Sequence, residues 1–411
     1  MSKLALNSKP KNVSTIMPNM TDESCPNCAA EFMAVIYEVR RVPVQSCQPI
    51  TDAVSAQRYP CGDLRLAHCA NCGFISNLLF NEALQECRSP THKAQQTTST
   101  LNGYAEAIVD KWIGEYQIRD RTILEIGCAE DDMLLLLSDL GGNSGIRVDV
   151  TCEPSQLTDS VKGTINKIRQ EFSTRYGDCA VDVICSGNAL QHVYSTAKFL
   201  QALRRYIGNN PNTLLLFVVP DALRILETQA FWEFNYDHCS YFTAGSLAHV
   251  FRRNAFDVVD LERCCEDNFL VLAARPSAEA TPPTLAIEND RPRTRRELGS
   301  FTVSCAETVR FWRDRLSQLS AQQKKIVVWG PVSKCVSFFT TLGIRNEVDF
   351  AVNSDPQAAG KYLPGTGHEI RGPEDLRKTP PDVVIALDSR DRKEIVDRLN
   401  VLGIKPELLS L

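Results

Sequence analysis

The sequence predicts an α/β protein with two parallel-sheet units of Rossmann-like type, preceded by a small zinc-binding domain. Three observations carry that prediction. Thr122-Ile123-Leu124-Glu125-Ile126-Gly127 is an apolar run that ends on an acid and a glycine, and a leucine-rich, helix-forming segment begins at Met133. Ile326-Val327-Val328-Trp329-Gly330 repeats the strand-and-glycine opening much later in the chain. Cys25-Pro26-Asn27-Cys28 and Cys69-Ala70-Asn71-Cys72 are two Cys-x-x-Cys knuckles. Strands that alternate with helices imply parallel sheets, and a glycine turn at a strand's carboxyl end lets a ligand approach the backbone.

Composition sets the outer limits. A chain of 411 residues is too long for one core, and its 43% apolar and 23% charged residues are those of a folded protein. The net charge of −5 lacks the basic excess of a nucleic-acid-binding surface, so no nucleic-acid partner is expected. No apolar run approaches the ~20 residues of a membrane span, so no membrane partner is expected either. Residues 1–20 lack the apolar core of a secretion signal and are expected to form a flexible tail. Sixteen cysteines scattered through strands and helices fit a reducing, cytoplasmic setting with one metal site and many buried thiols.

Residues 21–94 form the expected zinc-binding domain. Each knuckle presents two thiolates from one turn, and Cys25, Cys28, Cys69 and Cys72 together complete a tetrahedral Zn²⁺ shell. Four thiolates fill the shell, which makes the site structural. Cys47, Cys61 and His68 lie close enough in sequence to replace one ligand.

The next unit is expected over 95–275. A helix over 104–113 leads into the Ile123 strand, and a second strand over 146–151 ends at Cys152-Glu153-Pro154-Ser155. An acid at the end of the second strand is where nucleotide-binding folds hold ribose hydroxyls, and Glu153 is the candidate. A buried strand over 181–185 ends at Ser186-Gly187-Asn188-Ala189-Leu190-Gln191-His192, on the ligand face of such a fold. After a helix over 198–207 and a strand over 213–219 comes an aromatic segment over 231–243, which suits a lid or a pocket. Runs at 256–261 and 269–274 read as an antiparallel pair. Residues 276–322 read as a linker and a basic helix with a solvated charged face. Residues 323–411 form the second Rossmann-like unit, with further strands at 348–353 and 382–387.

The order of these parts resembles the sugar C-methyltransferase family, which acts on nucleotide-linked 4-keto-deoxysugars. Glu125-Ile126-Gly127 with Ala129 is similar to the first motif of class I S-adenosylmethionine (SAM) methyltransferases, and Glu153-Pro154-Ser155 to the ribose-binding turn. The resemblance implies SAM as cofactor, with Glu125, Gly127, Ala129, Glu153 and Asn188 around it. The segment from Asn188 to His192 resembles one that carries an active-site histidine. Asp237-His238 resembles the family's catalytic Glu-His pair, with Tyr241-Phe242 continuing it, and the loop at 361–366 resembles a signature of the C-terminal domain. The chain departs from the pattern at Asp131, which stands for the third motif glycine, and at Asn235 and Tyr236, which stand for Tyr and His. Glu266-Asp267-Asn268 occupies the place of a His-Gly-Gly turn.

C-methylation beside a ketone needs a base for the α-proton and donors for the enolate. His238, oriented by Asp237, is the expected base, with His192 as second acid/base group or enolate donor and Tyr241 assisting. The expected partner is a small-molecule substrate such as a nucleotide-linked sugar. Three other readings stand beside this one. They are methylation of a carbon, oxygen or nitrogen of another metabolite, a scaffold that has lost its cofactor site at Asp131, and knuckles that bind nucleic acid.

Overall fold

The computed structural model describes residues 20–87, 99–127, 133–149, 181–208, 210–277, 284–387 and 392–411, which form three sheets with helices around them. Of the expected tail only Met20 is described, and it opens a strand. Among the described residues no helix is long and apolar enough to cross a membrane.

The first sheet starts with β1 (Met20–Thr21), β2 (Met33–Pro43), β3 (Cys61–His68) and β4 (Ile75–Asn77), each antiparallel to the next. A short helix, α1 (Ala53–Gln57), lies in the β2–β3 connection and is capped by Asp52, whose carboxylate accepts from Ser55 N at 2.8 Å. One knuckle precedes β2 and the other is the turn between β3 and β4. Each closes on itself, with Ala29 N donating to Cys25 O at 2.7 Å and Gly73 N to Cys69 O at 2.9 Å. Gly73 has φ 82°, the left-handed conformation that glycine adopts without steric cost.

In the middle of the chain α2 (Ser99–Tyr116) leads into β5 (Thr122–Gly127), α3 (Met133–Gly141) and β6 (Ser144–Asp149). There follow β7 (Val183–Gly187), α4 (Thr196–Ile207), β8 (Leu214–Pro220) and α5 (Ala222–Glu227). The two-residue strand β9 (Ser240–Tyr241) then pairs with β4 and so completes the first sheet. After α6 (Ala244–Arg253), the hairpin β10 (Phe256–Cys264) and β11 (Phe269–Pro276) returns to the second sheet. That sheet has the order β10-β11-β8-β7-β5-β6. β5 is parallel to β6 and β7, and β7 to β8, while β11 slots in antiparallel between β8 and β10. This is the class I methyltransferase-type sheet expected from the sequence.

Its strands are apolar on both faces because successive side chains point to opposite sides and helices cover both. Leu124, Ile126, Ile184, Leu215 and Phe217 pack with Phe199 and Leu203 of α4 and Leu247 and Phe251 of α6. Their neighbours Ile123, Val183, Cys185, Leu214 and Leu216 pack with Val109 and Trp112 of α2 and Met133 and Leu137 of α3.

A long helix, α7 (Arg291–Ala321), connects to the third sheet. There β12 (Ile326–Trp329), α8 (Val332–Leu342), β13 (Phe350–Val352), β14 (Ile370–Arg371), β15 (Val383–Ala386), α9 (Arg392–Leu402) and β16 (Glu407–Ser410) follow in order. The sheet order is β14-β13-β12-β15-β16, and every pair is parallel. One continuous apolar cluster joins this unit to the first sheet, through Tyr37 and Val39 of β2, Phe301 and Trp312 of α7, Phe338 of α8, and Phe231 and Phe234. The 361–366 loop meets the first sheet's connection directly. Tyr362 and Ile50 exchange backbone bonds of 2.8 and 2.9 Å, and Gly365 N donates to Ala56 O at 2.8 Å.

Candidate active site

In the second sheet β6 lies to one side of β5 and β7 to the other, so the strand order reverses at β5. Open α/β sheets take their ligands outside the carboxyl ends of the strands at such a reversal. Both strands end on glycine there, at Gly127 and Gly187. Asn188 follows with φ 46°, held by its N–H donating to Val218 O at 3.0 Å. Non-glycine residues in that conformation concentrate at functional sites.

Glu125 is fully buried. One carboxylate oxygen accepts from Met133 N at 3.1 Å, at the start of α3, and the other from Arg147 Nε at 2.7 Å. The acid therefore ties the strand to the helix that follows the glycine turn, and the Arg147 side chain lies against Gly127, where an added Cβ would meet Nε at 3.3 Å. Arg147 does not appear among the sequence candidates. Its signal is the register: Glu125 and Arg147 are direct cross-strand neighbours. Ala129, Asp131 and Glu153 lie outside the described residues.

Beyond Asn188 a single turn, Leu190–His192, carries His192 to the aromatic segment. His192 Nδ1 is 2.7 Å from the Asp237 main-chain carbonyl. A carbonyl only accepts, so Nδ1 bears the proton, and in the neutral ring Nε2 is the basic atom. The His192 and His238 rings meet edge to face with centroids 4.9 Å apart. Ligand-capable atoms of His192, Asp237 and His238 all lie within 4.8 Å of one another. Both histidines are half-buried and Asp237 is buried, its carboxylate accepting from Ser46 Oγ at 3.0 Å. Ser46 comes from the connection after β2, too far along the chain for the sequence to pair the two.

The aromatic segment is core. Phe231, Phe234, Tyr236 and Phe242 are all buried. The Tyr241 hydroxyl donates to Asn235 O and accepts from Asn235 N, each at 3.0 Å, and burial pushes its pKa well up. Here that side chain holds the bend before His238. Tyr236 accepts from Asn81 N at 2.9 Å, and its ring fills the space over Gly62. Glu233 meets Lys334 at 2.8 Å and Arg224 at 3.1 Å. Burial works against its charge, yet the two cations outweigh burial and hold the carboxyl below its ordinary range. Ser337 Oγ of α8 donates to Phe234 O at 2.9 Å and bonds Asn235 Oδ1 at 2.6 Å.

The four knuckle thiols converge in a second cluster. Cys25 and Cys72 Sγ are 3.8 Å apart, Cys28 and Cys69 Sγ 3.6 Å, and all four are buried. Four sulfurs at the ~2.3 Å zinc–thiolate distance from one centre would be about 3.8 Å apart, so the spacing fits a tetrahedral ion. Asn27 Nδ2 lies 3.6 Å from Cys72 Sγ, and Asn71 Nδ2 3.4 Å from Cys28 Sγ, so each knuckle's asparagine faces a thiol of the other. Hydrogen bonds from the neighbouring Cys25, Cys69 and Cys72 hold the Cys28 thiol below its ordinary range. The group contains none of Cys47, Cys61 and His68.

Residues 99–261 match the family model of a methyltransferase domain, and residues 275–404 that of a C-methyltransferase C-terminal domain. The chain is 24% identical over 244 residues to C-methyltransferase NovU of Streptomyces niveus, a match that takes in 57% of this chain and 57% of that protein. It thus spans little more than half the length of the curated relative it matches. Among solved structures it resembles 1,6-didemethyltoxoflavin-N1-methyltransferase of Burkholderia thailandensis, at 15% identity over 47% of this chain and 94% of that one, with a TM-score of 0.29. It also resembles the PH0226 protein of Pyrococcus horikoshii, at 12% identity over 48% and 100%, with a TM-score of 0.32. The fold follows from the strand order of the second sheet and from the two family matches.

Proposed function

We propose that the chain is a divergent member of the C-methyltransferase family and that it methylates a carbon of a small molecule with SAM as donor, a reading supported by the two family matches and the likeness to a C-methyltransferase. The observation that carries this reading is the His192–Asp237–His238 cluster, in which His192 follows the carboxyl end of β7 and Asp237 and His238 come from the segment just before β9. The acceptor we propose is a carbon beside the ketone of a nucleotide-linked deoxysugar, a choice supported by the likeness of Asp237-His238 to the family's catalytic pair.

The site suits a SAM-sized ligand in one respect that its own residues supply: two adjacent parallel strands end on glycine at the reversal of strand order. Gly127, Ala129 and Asn188 would line it, Glu153 would hold the ribose hydroxyls, and Glu125 would keep the turn in place through Met133 N and Arg147. Bound SAM supplies an electrophilic methyl group on its sulfonium. His238 takes the α-proton from the acceptor carbon, which leaves the electron pair on the enolate. His192, fixed with its proton on Nδ1, would enter the step already protonated at Nε2 from solvent, and as imidazolium it can donate a hydrogen bond to the enolate oxygen. Tyr241 and Asp237 keep both rings in position. Cys25, Cys28, Cys69 and Cys72 we assign to one zinc ion, structural because four thiolates leave no open coordination position.

Calorimetric titration with SAM and with its demethylated product tests the reading, followed by exchange of the α-proton of a nucleotide-linked 4-keto sugar into deuterated water. Binding of both ligands and exchange of the proton are expected, with about one zinc per chain by metal analysis. No affinity for SAM at millimolar concentration would overturn the methyltransferase reading and leave a binding protein. SAM binding without exchange would move the acceptor to another metabolite.

A further inference from the structure

One side chain, Asn27, lies inside the first knuckle, is fully buried, and reaches from the four-cysteine cluster to the two helices that follow the histidines. Its Nδ2 donates to Ser246 O at 3.0 Å and lies 3.6 Å from Cys72 Sγ, while Oδ1 accepts from Thr196 Oγ1 at 3.0 Å. Thr196 begins α4, just after His192. Ser246 belongs to the first turn of α6, just after Tyr241, and forms a capping box with Thr243. A single amide thus touches the thiols, the element that follows one histidine and the element that follows the other. The backbone makes a second connection, because Cys72 leads into β4 and Asn77 N donates to Cys239 O at 3.0 Å. Asn71, in the matching place of the second knuckle, also faces a thiol but is exposed.

We propose that Asn27 is a positioning residue that couples the order of the four-cysteine centre to the relative placement of His192 and His238. This rests on reading those histidines as the proton-handling pair. Loss of the amide would leave the buried Thr196 hydroxyl and Ser246 carbonyl without that partner, and such groups move or rebond when they lose one. Groups that hydrogen-bond to metal ligands also tune metal affinity, commonly 10- to 100-fold.

The test uses the full chain, zinc-loaded and labelled with ¹³C-histidine, as wild type and as the Asn27→Ala, Asn71→Ala and Thr196→Val variants. Zinc transfer to a chromophoric chelator and the imidazole chemical shifts at one fixed pH are measured. Both asparagine variants are expected to hold zinc about 10- to 100-fold more weakly. Only Asn27→Ala and Thr196→Val should shift the His192 and His238 signals, while His368 stays at its wild-type position. Where turnover is measurable, Asn27→Ala should lower kcat with KM and the SAM Kd unchanged. Unmoved His192 and His238 signals in zinc-loaded Asn27→Ala would overturn the proposal, as would an equal shift in Asn71→Ala. If Asn27→Ala does not fold, Thr196→Val decides, and unmoved signals there overturn it. Shifts as expected in a protein that exchanges no α-proton would leave the coupling standing and remove the proton-handling role.

Discussion

His192 is held in one tautomer by a backbone carbonyl, and this makes the two histidines unequal. His192 has its Nδ1 committed to Asp237 O, whereas His238 takes its place in the segment that the Tyr241 hydroxyl bends. If His238 removes the α-proton, His238→Ala should cut turnover by roughly 10²–10⁴-fold, the usual worth of a positioned base, and spare SAM binding. Kinetics of proton exchange and calorimetry on the same preparation check this. Lost SAM affinity would show a residue that holds the cofactor pocket, and undiminished exchange would move the base to His192. The residues of this site were legible in the sequence as types in the right segments, but their partners were not. Ser46 on Asp237 and Arg147 on Glu125 depend on contacts that only the folded backbone creates.

At the scale of elements the sequence read best where the signal is local. The knuckles, the strands opening at Thr122 and Ile326 and the Phe256–Cys264 hairpin arm each announce themselves within a short window, by ligand spacing or apolar runs. β9 does not. It has two residues, pairs with a strand from the other side of the second sheet's sequence, and carries no periodicity to detect. The aromatic density around it suggested a lid, yet those rings are packed between β2, α7 and α8 and form core. Gly62 in β3 shows how tightly that core supports the histidines. A Cβ there would stand 2.3 Å from the Tyr236 ring, so Gly62→Ala must displace the residue two before His238. The change should cost about 1–3 kcal/mol, the range for overpacking, measured by urea unfolding. Wild-type stability in that variant would mean that the ring moves aside freely and supports nothing.

For the molecule as a whole, one half-buried ion cluster ties the third unit to the aromatic segment that precedes His238. Glu233 is ionised between Lys334 and Arg224, and its folded pKa lies below the ordinary value. A depressed carboxyl stabilises the fold at pH values above its unfolded pKa of about 4.3, and that contribution disappears as pH falls through the lower folded value. Lys334→Met should therefore lower Tm at neutral pH, and the gap to wild type should narrow below about pH 4. A gap that stayed constant from pH 7 to pH 3 would remove Glu233 from the account. The first sheet has a further consequence, for the order in which the protein can be built. β4 bonds to residues 163 positions away, and the Tyr37 hydroxyl bonds to Thr341, 304 positions away. At a synthesis rate of roughly 5–20 residues per second, β4 leaves the ribosome about ten to thirty seconds before its partner exists. During that interval the nascent sheet presents a bare strand edge and uncovered aromatic side chains. The knuckle turns are complete much earlier, and metal captured then would hold this early sheet in shape while it waits for the rest of the chain.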